Sequence, residues 1–238
     1  MAHYALLVIG LDVHEQIAPY YIHSEAESYP MYLQEFEILK IEKLYGVRRE
    51  NIIEFSQALE NFTKMNSGYN DDGYFYLSNL NPRGKWKYYE IGGRWSGILR
   101  LKENLSQEAI LKNHIIENQI KNGAKIRNPE MLWEDTQILK PSDDKLSNTF
   151  HSTTARLKDI DFARIEMVYD PKLKGSKYGN FLGYAFLKDY KWFDKGRLGV
   201  QAYPDVSEKT DASWILEWTE LLDTVAEEEY LTVVDCEV

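Results

Sequence analysis

Apolar positions concentrate at the two ends of the chain. Tyr4-Ala5-Leu6-Leu7-Val8-Ile9-Gly10-Leu11 is an unbroken run that soon meets Asp12, His14 and Glu15, and it is too short to span a bilayer. The chain closes on a second run, Tyr230-Leu231-Thr232-Val233-Val234-Asp235-Cys236-Glu237-Val238. Short runs rich in branched residues read as buried strands, and two of them are most easily buried as neighbours in one sheet covered by helices. Between them the period changes. Tyr32, Leu33, Phe36, Leu39, Ile41, Leu44 and Tyr45 recur near helical spacing, with Pro30 as a first-turn proline and Gly46 as a C-terminal cap. The other face of that helix carries Glu35, Glu37, Glu42 and Lys43. A weaker amphipathic segment follows over Ile52 to Met65, then a turn-rich stretch over Asn66 to Gly73. Ser106 to Ile120 predicts a serine-capped helix closed by Asn122-Gly123, with Ile110, Leu111, His114 and Ile115 as its apolar stripe. Asp211 to Val225 predicts another, on which Trp214, Ile215, Trp218, Leu221 and Leu222 face one way.

Shorter strands are expected at Tyr74 to Leu77, Phe181 to Lys188 and Val200 to Tyr203, with a glycine-bearing turn over Trp192 to Gly199. Trp86 to Ile91 and Arg94 to Leu101 read as two strands of a hairpin turned at Gly92-Gly93, since adjacent glycines supply the positive φ of a tight turn. His14 to Pro30 reads as a loop holding a short helical turn, and Leu157 to Asp170 as a segment that starts helical and finishes extended. The irregular, polar stretch at about 123–154, with Pro129, Pro141 and Asp143-Asp144, predicts a lid-like insertion. No repeat or composition shift marks a boundary. The expectation is a single α+β domain over 1–238, a mainly antiparallel sheet with the N- and C-terminal strands central and helices packed on it.

Composition narrows the function classes. A formal net charge of -10 argues against generic nucleic-acid binding, because counterion release needs clustered cations that an acidic surface opposes. The single cysteine, Cys236, excludes an intramolecular disulfide and a multi-cysteine zinc site and predicts a reducing, cytoplasmic setting. No segment predicts a membrane span. Seventeen tyrosines and 6 tryptophans are more rings than a core needs, which places some at a ligand or partner surface.

The densest chemistry lies in Asn81 to Gly97. Gly92 and Gly93 allow close approach to the main chain, Arg94 offers a planar fork of donors to a carboxylate or phosphate, and Lys85, Trp86, Tyr88, Tyr89 and Trp95 supply a cation and stacking rings. Together these suit an anionic small molecule, a nucleotide above all. The alternative is structural: the glycines make a turn and Arg94 pairs with Asp159, Asp161 or Asp235 to fasten the sheet. Those three aspartates are also candidates for Mg²⁺ binding or acid and base chemistry. Asp159 and Asp161 share a face only in an extended segment, since in a helix they diverge by roughly 200°, and a helix N-cap is the plainer role for either. His3, His14, His23, His114 and His151 show no metal spacing and read as surface or structural residues. Cys236 reads as an inert core thiol, Lys172 to Lys177 as a solvated turn without a Walker pattern, and Glu227-Glu228-Glu229 as a solvated turn. No cofactor signature is present.

The same segment resembles a family of uncharacterised proteins carried by bacteriophages and mobile elements, with a pattern close to N-P-x-x-K-W-D-W-Y-x-x-G-G-R-W. Here it stands as Asn81-Pro82 through Lys85-Trp86-Lys87-Tyr88-Tyr89 to Gly92-Gly93-Arg94-Trp95. Lys158-Asp159-Ile160-Asp161-Phe162 is similar to its D-I-D-W stretch, and Leu231 to Cys236 to its closing L-T-V-V-D-C-H-I. Gly183-Tyr184-Ala185 and Lys191-Trp192 through Gly196 to Gly199 look like its W-x-x-x-G-x-M-G segment. Lys87 replaces an acid of the pattern, Glu237 its histidine, and Val200 an aromatic, so a histidine-dependent reaction does not carry over. The resemblance implies a phage accessory protein, with an anti-defence role in the host cytoplasm. The leading expectation is capture of an anionic ligand, a nucleotide or nucleotide-derived immune signal, at Arg94, Gly92, Gly93, Trp95, Trp86, Tyr88 and Lys85. The alternatives are an inhibitor or adaptor that docks on a host protein, and a metal-assisted phosphodiesterase or hydrolase using Asp159, Asp161 and Asp235.

Overall fold

The two apolar ends of the chain lie side by side. In the computed structural model, which describes residues 3–124, 126, 150–167, 177–196 and 208–238, β1 (His3–Ile9) pairs antiparallel with β11 (Tyr230–Glu237), from His3 opposite Glu237 to Ile9 opposite Leu231. On one side β9 (Ala185–Lys188) runs parallel to β1, and β10 (Lys191–Asp194) turns back on β9. On the other side β11 is paired twice, at its start by β8 (Thr154–Arg156) and at its end by β5 (Tyr88–Ile91). The fold is α+β, with the terminal strands at the centre of a mostly antiparallel sheet that has six strands among the described residues.

Strand alternation explains why these runs are apolar without interruption. Leu7, Ile9, Phe186, Leu231 and Val233 face α5 (Asp211–Asp223) and pack on its Trp214, Trp218 and Leu222. Leu6, Val8, Val234 and Cys236 face the other way, onto Val13 and Ile17 of α1 (Val13–Ile17) and Ile116 and Ile120 of α4 (Gln107–Lys121). A sheet covered on both faces has no polar side to show. The predicted serine cap holds, Ser106 accepting from the Ala109 N–H at the start of α4, and Thr210 accepts in the same way from the Ser213 N–H at the start of α5. The stripe of α4 differs from expectation. Its buried residues are Ile110, Asn113, Ile116, Glu117 and Ile120, so the inner face is set partly by two polar side chains that hydropathy assigns to solvent.

Between α1 and β5 the chain builds a second layer. β2 (Tyr29–Tyr32), β4 (Gly73–Ser78) and β3 (Ser67–Asn70) form a sheet in the order β2-β4-β3, and α2 (Glu35–Tyr45) and α3 (Ile52–Thr63) pack around Ile41, Phe55, Ala58, Leu59 and Tyr74. Gly46 closes α2 at φ 68, as the sequence predicts. Pro30 does not open it: Pro30 sits in β2, an edge strand that tolerates a missing N–H, and α2 starts behind a capping box of Gln34 and Glu37. Asn66 to Gly73 is more than a turn, since it contains β3.

The Gly92-Gly93 hairpin is not formed. β5 ends at Ile91, Gly93–Trp95 makes a 3-10 turn, and β6 (Leu99–Arg100) pairs with β7 (His151–Ser152) instead. Trp192 lies in a strand rather than a turn, because the chain reverses one step earlier through Asp189 and Tyr190 at φ 51 and 59. Two left-handed residues make a tight hairpin, and with no glycine there the sequence gives no warning. Leu157 to Asp170 begins as two 3-10 turns, Leu157–Asp159 and Phe162–Arg164. The expected strand at Val200 to Tyr203, most of the lid-like stretch and Lys172 to Ser176 lie outside the described residues. No described helix is long and apolar enough to cross a membrane.

Candidate functional site

The glycine-arginine segment leaves the sheet at a gap along β11. Beyond Ile91, the Gly92 N–H donates to the Val233 carbonyl, and the Val233 N–H donates to the Thr153 carbonyl, just before β8 begins. The segment arches out between these two ladders and is pinned at both ends. The Gly97 N–H donates to Thr153 Oγ1 at 3.0 Å and the Arg94 N–H to Asp235 Oδ2 at 3.1 Å. The glycines are there for space as well as angle. A Cβ on Gly93, at φ 47, would stand 2.4 Å from Asp235 Cβ, and one on Gly92, at φ 80, would stand 2.8 Å from Thr153 Cγ2.

Thr153 is in turn held from α4. Buried Glu117 accepts from Ser152 Oγ at 2.6 Å, from the Thr153 N–H at 2.9 Å and from Lys121 Nζ at 2.6 Å. Burial alone would raise its carboxyl, but hydrogen bonds from Lys121, Ser152 and the Thr153 main chain outweigh it and hold the group below the usual range.

This scaffold determines what Arg94 can do. Asp235, 6% exposed, gives one oxygen to the Arg94 main chain and the other to His3 Nδ1 at 2.9 Å. The Arg94 side chain is 63% exposed, and its Nε comes no nearer to Asp235 than 4.0 Å. That is the outer limit of an ion pair, and among the described residues the terminal nitrogens of the guanidinium have no partner. Asp235 therefore orders the backbone of Arg94 rather than neutralising its head.

Two clefts flank the segment. One of about 430 Å³ is lined by His3, Tyr4, Trp95, Met167, Tyr184, Lys195, Asp211 and Trp214. Lys195 bonds Asp211 at 2.7 Å and Glu208 at 3.3 Å, and its ammonium is pushed upward chiefly by the Asp211 bond. The other, about 460 Å³, is lined by His14, Tyr89, Glu90, Gly93, Ser96 and Lys121. There His14 Nε2 donates to the Ile120 carbonyl at 2.7 Å, and its Nδ1 lies 2.5 Å from the Tyr89 hydroxyl. Both ring nitrogens are thereby engaged.

The other predicted residues divide. Tyr88 is 58% exposed and opposes Glu237 in register. Trp86 is a core residue instead, with its indole N–H donating to the Ile17 carbonyl at 3.1 Å and its ring edge-on to Tyr89. Lys85 is drawn to Asp194 at 3.0 Å, so it does not reach the Arg94 segment as a free cation. The three aspartates do not converge. Asp159 is buried and accepts from Asn113 and from Arg156 Nε, both at 2.9 Å. Asp161 caps a 3-10 turn through the Ala163 N–H. Arg156 opposes Tyr230, five positions before Asp235 and so roughly 17 Å along the strand. Cys236 is buried, and burial pushes its thiol well above the ordinary range, as expected of an inert core thiol.

The pairing of His3 with Asp235, and the anchoring of the segment by Thr153 and Glu117, are what sequence reasoning missed. The signal for the first is in the register: once β1 and β11 pair antiparallel with His3 opposite Glu237, His3 and Asp235 become diagonal neighbours on one face. No protein-family model, curated protein or solved structure matches the chain.

Proposed function

We propose that the protein binds a small anionic ligand where Arg94 and Trp95 stand beside the His3 cleft, and that it sequesters this ligand rather than transforming it. The observation that carries the reading is the exposed guanidinium of Arg94, held on a main chain that two glycines and Asp235 fix in place while its Nε stays 4.0 Å from that carboxylate. An exposed arginine fork carried on a fixed main chain, one residue before an indole in the sequence, suits a phosphate attached to a flat base, so nucleotides and nucleotide-derived signals are the ligand class. Binding is favoured over metal-assisted hydrolysis because Asp159 and Asp161 are engaged elsewhere and do not join Asp235. The likeness to phage proteins makes a host immune signal the natural ligand in this proposal. Calorimetry and thermal shift with mono-, di- and cyclic nucleotides, with inorganic phosphate alongside, test it. A nucleotide that raises the melting temperature and loses at least about tenfold in affinity on Arg94→Ala supports the reading, since a charged hydrogen bond contributes about 1.5–3 kcal/mol. Absence of stabilisation by any of them, or equal binding by the variant, overturns it.

A further inference from the structure

The outward face of α2 is apolar where a surface helix is ordinarily polar. Phe36, Leu39 and Leu44 are 56%, 52% and 61% exposed. Helical spacing sets them on one face together with Lys40 and Lys43. Across from them is Phe62 at the end of α3, with the Lys40 ammonium 5.1 Å from its ring centre. The carboxylates of α2 are engaged inside its own layer: Arg49 binds both Glu35 and Glu42, and Glu37 accepts from the Gln34 N–H. Lys43 forms no ion pair among the described residues. In a chain of net charge -10, this face is a local exception, with two lysines set among its apolar anchors.

We infer that the outer face of α2 docks an amphipathic helix of another protein, one with apolar residues at helical spacing flanked by Asp or Glu. Phe36, Leu39 and Leu44 supply apolar anchors across this face, and Lys40 and Lys43, which lie between Leu39 and Leu44 around the helix, supply the charge that selects acidic neighbours on the partner. A second copy of this chain fits worse. Antiparallel pairing that sets Phe36 on Leu44 of the other copy brings the two Lys40 side chains together, and parallel pairing stacks like on like along the whole helix. The surface is separate from the Arg94 cleft and independent of any ligand there.

The test is selection from a displayed library of helical peptides randomised on one face, followed by anisotropy with a resynthesised winner. Enrichment of apolar peptides with Asp or Glu flanks is expected. Binding should weaken at least tenfold for Leu39→Ser and for the Lys40→Glu, Lys43→Glu pair, and should fall as salt rises. These side chains are exposed, so circular dichroism and melting of the variants should match the parent. Enrichment of Lys- or Arg-flanked peptides, no enrichment, or binding indifferent to the substitutions overturns the inference. So does a concentration-dependent dimer abolished by Leu39→Ser, which assigns the face to a second copy.

Discussion

The central sheet and the layer inserted before it solve the same burial problem with different completeness. The central sheet has helices on both faces, and its large rings, Trp214 and Trp218, are nearly inaccessible. The inserted layer closes over five buried apolar residues and leaves Phe36, Leu39, Leu44 and Ile53 outside. A small unit has too little interior for all its apolar side chains, so its surplus goes to the surface. The difference separates two kinds of residue: those the fold consumes, and those it leaves for something else.

The sharpest way to break the comparison is to empty the smaller core. Phe55→Ala removes a ring at 0% exposure that packs 4.2 Å from Tyr74, and should cost about 3–5 kcal/mol. No tryptophan lies in residues 29–78, so no indole belongs to the inserted layer. The expected result is faster amide exchange across α2, α3 and β4 with indole emission unchanged. If both signals collapse in one transition, the two layers are a single cooperative unit and the distinction fails.

Gly93→Ala should come next, at about 1–3 kcal/mol for overpacking, and it should act on the central sheet. The added Cβ meets Asp235, which is part of β11, so the loss should appear in global denaturant unfolding and in indole emission rather than in exchange of the inserted layer. A Gly93→Ala protein as stable as the parent would mean the segment is free to move away from the sheet.

Glu117 gives a pH-resolved version of the same test. Its folded carboxyl lies below its unfolded value, so its contribution to stability is fully present above about pH 4.3 and is lost as pH falls through the lowered folded value. Glu117→Gln should cost about 1.5–2 kcal/mol at neutral pH, because Thr153, Ser152 and Lys121 lose a charged acceptor. The difference between the two proteins should shrink on acidification. Parallel acid limbs would remove Glu117 from the anchoring of the Arg94 segment.

How much of this was legible in the sequence follows the same division. The terminal strands, the caps at Ser106 and Gly46, and the Trp214 and Trp218 face could be read because each rests on local pattern alone. The site could be read only in part. Arg94 stood out by type, but the fate of Trp86 and Lys85 depends on Ile17 and Asp194, far away in the chain. Pairing of His3 with Asp235 needs the register of two strands at opposite ends, which composition does not contain. The stripe of α2 misled for a related reason: helical spacing marks residues fit for burial, and Ile41 was covered while Phe36, Leu39 and Leu44 were not. Nothing local records whether a partner surface exists to cover them.

The smallest expected stability change belongs to the residue of greatest functional interest. Arg94 and Gly93 are adjacent and both approach Asp235, yet the glycine meets it as packed backbone and the arginine side chain meets it at 4.0 Å from solvent. A pair at that range with its guanidinium in solvent contributes little, so Arg94→Ala should change unfolding free energy by no more than about 0.5 kcal/mol. Its nucleotide-dependent thermal shift should nevertheless disappear. Gly93→Ala should show the opposite balance, with loss of stability first and loss of ligand only as the segment is displaced. A stability loss for Arg94→Ala as large as that of Gly93→Ala would make the guanidinium a fastener of the sheet and would take the main support from the anion proposal.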